Sequence, residues 1–217
     1  MPEKPGRRAV RLVFLVVGIV CLGFYFEASL YRTAYQFYES WRFDHDSDQD
    51  EVKQPEPRAE GPAAGAKAPL PAVLPDPDRG SPPLPGSGVT LVVGRISIPR
   101  LHLSAIVEEG VDAATLSRAV GHIPGTAMPG EEGNIGIAGH RDTFFQKLKD
   151  LQPKDEIDFA THTALYRYTV ESLTVVEPSD VSVLAPTGGK ILTIVTCFPF
   201  HYIGNAPRRF IVHAVAE

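Results

Sequence analysis

The chain has 217 residues, a net charge of −5, 43% hydrophobic residues and cysteine only at positions 21 and 197. That length allows one domain plus appendages. No dense basic stripe is present to neutralise phosphates, which argues against a nucleic-acid partner, and two distant cysteines do not make a disulfide framework.

Residues 1–11 form a basic tail with Lys4, Arg7, Arg8 and Arg11, and residues 12–26 are apolar and uncharged. A bilayer core takes about 20 residues, so 12–31 is expected to be a single transmembrane anchor, with Tyr25, Tyr31, Tyr35 and Trp41 near its outer interface. The positive-inside rule puts the N-terminus in the cytoplasm and the bulk of the chain outside the cell membrane. The competing reading is a cleaved signal peptide, but Ala28 and Ser29 are followed by bulky aromatics rather than a small-residue cleavage site. With Cys21 in a membrane the two cysteines cannot meet, so Cys197 is expected to keep its thiol.

Residues 32–88 are expected to be a juxtamembrane segment and a disordered linker. From Asp44 the composition turns acidic, and ten prolines then fall between residues 55 and 85. Such a segment buries too little apolar surface to offset its ordering entropy. Its prolines favour extended, semi-stiff spacing.

Residues 89–217 are expected to fold as one mainly β domain. Alternating or β-branched runs predict strands at "TLVVGRISI", "SAIVEEGV", "GNIGIAGH", "KILTIVTC" and "RRFIVHAVAE". "DEIDFAT" and "TALYRYTVESLTVV" predict a hairpin. "DAATLSRAVGHI" predicts a helix capped by Asp112, with helical spacing through Leu116 and Val120. "TFFQKLKDL" and "EPSDVSVLAP" predict short helical turns. Seven or eight short strands with few helices favour a closed barrel or a sandwich.

Two strands end in reactive side chains: "NIGIAGH" in His140 and "LTIVTC" in Cys197. Two such strand ends can face each other across one rim. A nucleophilic thiol needs a base or cation nearby and a donor for the oxyanion. Arg208 and Arg209 open the strand after Cys197, so an antiparallel return would bring one of them beside the thiol. The alternatives from residue types alone are a structural cysteine and a turn histidine. A zinc site is disfavoured because no second cysteine lies near. Glu108, Glu109 and Asp112 suit a solvated turn better than a calcium site, so no metal and no cofactor are expected.

"TIVTC" (193–197) resembles the sortase signature Thr-Leu-x-Thr-Cys, with Ile194 for Leu. "GIAGHRDTFF" (136–145) and "RFIVHA" (209–214) resemble the segments carrying the sortase histidine and arginine, and the wider stretches are similar to class D and E sortases. The resemblance implies an eight-stranded sortase β-barrel with short helices. It also implies a cysteine transpeptidase that cleaves a Leu-Pro-x-Thr-Gly-like sorting motif of substrate proteins through a thioacyl-enzyme. The acyl group then passes to an amine acceptor, a cell-wall precursor or a pilin lysine. It carries the nucleophile onto Cys197, the general acid and base onto His140, and the oxyanion donor onto Arg209 in preference to Arg208. Supporting roles are expected for Thr196 through its hydroxyl or backbone, for Asp142 in orienting the His140 loop, and for His122 and His201 along the substrate groove. The alternatives are a hydrolase using the same acyl-enzyme with water, and a non-catalytic peptide-binding barrel. Class C sortases often carry a lid with an Asp-Pro-aromatic motif. Here Asp76-Pro77 has no aromatic after it, so "PDPDRG" (75–80) is expected to be spacer over an open groove.

Overall fold

The computed structural model describes residues 5–50, 74, 91–202 and 204–217. Residues 51–73 and 75–90, which hold most of the expected linker and all of "PDPDRG", lie outside the described residues.

Helix α1 (Pro5–Asp50) contains one stretch, Arg11–Phe43, long and apolar enough to cross a membrane. Its 46 residues extend about 69 Å at 1.5 Å per residue, roughly twice a hydrocarbon core. The helix therefore continues well past residue 31, and past Asp44, where the acidic composition begins. Its C-terminal half rests on the domain that follows. Arg32, Tyr35, Gln36 and Phe43 fall on one face at helical spacing. Arg32 Nε donates to Ser117 O at 3.2 Å and Gln36 Nε2 to Arg118 O at 2.7 Å, both at the last turn of the next helix. Gln36 Oε1 accepts from Ile106 N at 2.9 Å, and Phe43 is buried against Arg95 and His162. The deepest contact is polar. Tyr35 Oη donates to Glu108 Oε1 at 2.6 Å, and Glu108 also accepts from Arg118 Nη2 at 2.6 Å and Nε at 3.2 Å.

The domain is a closed barrel. Among the described residues its strands are β1 (Val92–Ile98), β2 (Leu103–Glu109), β3 (Val120–His122), β4 (Gly133–Ala138), β5 (Glu156–Ala160), β6 (Leu165–Val176), β7 (Lys190–Phe198) and β8 (Arg208–Ala216). They are hydrogen-bonded in the order β1-β2-β3-β4-β7-β8-β6-β5, with β5 closing on β1. The β2–β3 and β4–β7 pairs are parallel and the others antiparallel. Closure removes the exposed edges that an open sheet would present.

Helix α2 (Ala113–Arg118) starts where Asp112 accepts from Ala114 N and Thr115 N. It stops short of Val120, contrary to the helical spacing. Val120 instead opens β3 and pairs with Val107, fully buried. Tertiary pairing overrides a weak helical pattern over so few residues. The turns expected near residues 143–151 and 177–186 are 3-10 turns at Gln146–Asp150 and Val181–Leu184.

Strand alternation sorts side chains between two faces. Ile96, Ile98, Ile135, Ile137, Ile194 and Val212 fill the barrel interior. Ala138, Val195 and Ile211 point outward and form a second cluster with Ile123 and Leu184.

The loop before β5 is held by Arg100, which donates through Nε and Nη2 to the two carboxylate oxygens of Asp155. This pairing, with Gln152 N as a further donor, holds the Asp155 carboxyl below the ordinary carboxylate value. A depressed carboxyl contributes stability above its unfolded pKa of about 3.9, and that contribution is lost as pH falls through the folded value. The stability difference between the native chain and Asp155→Asn should therefore shrink as pH is lowered from 5 to 2, measured by urea unfolding at each pH. Removing a carboxylate from a buried ion pair strands its cation. Glu108→Ala should thus cost about 3 kcal/mol in the same assay, and Glu108→Gln less because it still accepts from Tyr35.

Candidate active site

Three strand ends meet at one rim of the barrel. On β7 and β8 the register pairs Cys197 with Arg209 and Val195 with Ile211. Directly opposed residues in an antiparallel pair share a face, so Cys197 and Arg209 project to the outer side. On the other flank β4 runs parallel to β7, with Ala138 beside Val195. β4 ends at Ala138, and His140 follows two residues later, after Gly139, whose carbonyl accepts from Thr196 next to Cys197. The register thus pairs Cys197 with Arg209 and leads the chain carrying His140 to the same end of β7.

The chain reaches this arrangement through two close approaches. A Cβ on Gly139 would stand 2.7 Å from the Phe145 ring, and one on Gly136 would stand 2.9 Å from Leu184 Cδ2. A side chain at Gly139 would force the Phe145 ring to shift, and one at Gly136 would displace the Leu184 methyl. Gly139 N donates to Val195 O at 3.2 Å, and Thr196 Oγ1 donates to Gly139 O at 2.7 Å. The Thr196 hydroxyl is therefore spent on holding the backbone next to His140.

Cys197 is fully buried and Arg209 is 2% exposed. Arg209 Nη1 donates to Ala206 O at 3.2 Å and to Arg208 O at 3.1 Å, which fixes the guanidinium. Arg208 is opposite Phe198, so it leaves on the other face, where its Nε lies 3.6 Å from exposed Glu177.

The remaining expected residues fall elsewhere. Asp142 is exposed and lines a cavity of about 370 Å³ with Arg32, His140, Arg141, Thr143, Gly204 and Asn205. The side chain that holds the β7–β8 loop against the His140 loop is its neighbour Arg141, which sequence reasoning passed over. Arg141 is 6% exposed and donates to Pro199 O at 3.1 Å, Tyr202 O at 2.9 Å and Gly204 O at 3.2 Å. The signal available was its place directly after His140 in "GHRD". His122 is buried, with Nδ1 2.6 Å from Glu109 Oε2 and Nε2 3.0 Å from Ala127 O and Thr126 Oγ1. It braces the start of the β3–β4 connection. His201 is exposed on the loop after β7. Glu108, Glu109 and Asp112 are each engaged, with Arg118 and Tyr35, with His122, and with the α2 cap.

A polar network that the sequence did not announce supports the far end of this face. Thr193 Oγ1 donates to Asn134 Oδ1 at 2.7 Å, and Asn134 Nδ2 donates to Val183 O at 2.9 Å and Ala185 O at 3.3 Å. With the Thr193 proton so used, His213 Nδ1 donates to Thr193 Oγ1 at 3.0 Å. Burial pushes His213 below its ordinary value, which suits a neutral donor. Asn134 thereby pins the Val181–Leu184 turn over the outer face.

The family profile described as "Sortase domain" matches residues 96–217, more than half of the chain. The chain is 33% identical over 121 residues to Sortase D of Bacillus subtilis, covering 55% of this chain and 61% of that protein. It is 36% identical over 134 residues to Sortase SrtE1 of Streptomyces coelicolor, covering 53% of this chain and 37% of that protein. These matches span less than two thirds of either relative. Among solved structures, a Clostridium perfringens Sortase D5 transpeptidase superposes with a TM-score of 0.54 at 34% identity, covering 58% of this chain and 79% of that one.

The Thr196 bond is testable. A buried carbonyl left unsatisfied costs about 1–3 kcal/mol, so Thr196→Val should lower unfolding stability by that amount in a urea titration. Thr196→Ser, which keeps the donor, should lose less.

Proposed function

Because the chain belongs to the sortase family, we propose that it is a membrane-anchored cysteine transpeptidase of class D or E type, with residues 12–31 as anchor and residues 89–217 as catalytic domain. The observation that supports this reading is the register of β7 and β8, which sets Cys197 directly opposite Arg209, with the parallel neighbour β4 ending two residues before His140 at the same end of β7. The basic tail stays in the cytoplasm and the barrel faces outward, in line with the positive-inside rule.

The substrate is a surface protein with a Leu-Pro-x-Thr-Gly-like sorting motif. The Cys197 thiolate attacks the threonine carbonyl carbon, and the oxyanion that forms is met by the Arg209 guanidinium. Its position is held by the Ala206 and Arg208 carbonyls, which keeps the donor preorganised. As the C–N bond breaks, His140 gives its proton to the leaving amine. A thioester then joins the substrate to Cys197. The acceptor amine, from a cell-wall precursor or a pilin lysine, loses a proton to His140 and attacks the thioester carbonyl. The new amide leaves and the thiolate returns. Thr196 and Arg141 position the His140 loop; they do not touch the reacting atoms.

The test uses the full chain in detergent, a quenched Leu-Pro-x-Thr-Gly peptide and an added amine, with products read by mass spectrometry. A Thr–amine adduct that disappears in Cys197→Ala is the expected result; cleavage with no adduct at any amine concentration would instead favour the hydrolase. Loss of one oxyanion donor typically costs about 10²–10³ in kcat. Arg209→Lys, which keeps the charge and loses the fork, should fall in that range with the fold retained by circular dichroism.

A further inference from the structure

Two cavities open between α1 and the loop that carries His140. The first, of about 370 Å³, is lined by His140 together with Arg32, Asp142 and Thr143. The second, of about 550 Å³, continues along α1 past Gln36 and Thr33 to Tyr25, and Arg32, Asp142 and Thr143 line it too. These three residues are therefore the shared wall of one cleft, which leads from the outer end of the expected anchor to His140. Their chemistry is complementary. Arg32 is half-buried, and its Nε is held on Ser117 O at 3.2 Å, a carbonyl that fixes the guanidinium without cancelling its charge. Asp142 brings the opposite charge from the loop. The Thr143 Oγ1 atom is buried and has no hydrogen-bond partner among the described residues. A buried hydroxyl left unpaired carries a desolvation cost that a polar ligand atom relieves. The other guanidinium in this wall, Arg141, is committed to the carbonyls of Pro199, Tyr202 and Gly204.

We propose that this cleft binds the acceptor, and that it takes an amine with a free carboxylate on the neighbouring carbon. Arg32 and the Thr143 hydroxyl donate to the carboxylate, and Asp142 accepts an N–H of the amine on the His140 side. The proposal rests on the transpeptidase reading above and deepens it, because it separates the two acceptors named there. A lysine side chain within a pilin has no carboxylate beside its amine, so it leaves Arg32 and Thr143 unmet. A precursor whose amine sits on an amino-acid centre meets both. The bound amine attacks the thioester carbonyl: a C–N bond forms, the C–S bond breaks, the sulfur leaves as the Cys197 thiolate, and the amine's proton passes to His140. The carboxylate takes no part in these bond changes. It orients one class of amine for attack, with charge-assisted hydrogen bonds as the source of discrimination.

The test gives the full chain in detergent a quenched Leu-Pro-x-Thr-Gly peptide with either glycine or glycinamide as acceptor, and adducts are counted by mass spectrometry. The two amines differ in basicity. The readout is therefore the ratio of their kcat/KM values in a variant against the same ratio in the native chain, where that difference cancels. Arg32→Gln should lower the preference for glycine about tenfold or more, as for loss of a hydrogen bond to a charged group. Thr143→Val should lower it about fivefold, and Arg32→Lys, which keeps the charge, should retain most of it. A ratio unmoved by Arg32→Gln overturns the proposal. So does an equal loss for both amines, which would mean that Arg32 acts only in packing α1 on the barrel. Failure of the transpeptidase reading would look different: the native chain would form no adduct with either amine. The cleft is then read without turnover, by saturation-transfer NMR on the Cys197→Ala chain. Glycine should be bound in preference to glycinamide, and Arg32→Gln should abolish the difference; no difference between the two amines overturns the proposal.

Discussion

The candidate site depends on strand register. Cys197 and Arg209 are directly opposed on β7 and β8, and His140 follows Ala138, which lies beside Val195 on the parallel neighbour β4. The side-chain period of a strand is two, so a slip of one residue in either pairing would send one of the three groups into the barrel interior. The register is secured by burial. Ile135, Ile137, Leu192, Ile194, Val212 and Ala214 all lie in the interior cluster, and a slip would exchange them for Thr193, Val195 and Ile211. The packing that stabilises the barrel is thus the same constraint that aligns the reactive groups.

The side chains around the rim extend that constraint from strands to loops. Thr196 ties β7 to the residue before His140, and Arg141 ties the residue after it to three carbonyls of the β7–β8 loop. At the other end of the same face, Asn134 and Thr193 fasten the Val181–Leu184 turn. Each is a buried polar group whose bonding capacity is used within the protein, which rigidifies a surface that would otherwise be mobile loops. None of these residues need react. They tie the loops that flank His140 and Cys197 to the strands beneath them.

The C-terminal half of the apolar helix α1 packs on the barrel. Tyr35, Gln36 and Arg32 bind the end of α2 and the flank of β2, and Arg32 also lines the cavity beside His140. The rim is therefore held at a set position along the helix. A barrel on a flexible tether alone would sample many orientations; one latched through Glu108 and Arg118 presents the rim in one.

Much of this was legible from the residues. Hydrophobic alternation marked the strands, because a strand's faces are written every second residue. Asp112 marked the start of α2, because a cap is a local interaction. The motifs around His140, Cys197 and Arg209 marked the family and the barrel. What the amino-acid order alone does not carry is long-range pairing. It could not show that Val120 leaves a helical pattern to join β2, that His122 is buried on Glu109 away from the trio, or that the Thr196 hydroxyl is consumed by Gly139. Nor could it show that Arg141, rather than Asp142, holds the loop. It also placed Leu74 in a linker, with no sign that its side chain would be buried in a cluster with Ile123, Leu184, Val195 and Ile211. Each of these is decided by a contact between residues far apart in sequence, and such contacts exist only once the barrel has closed.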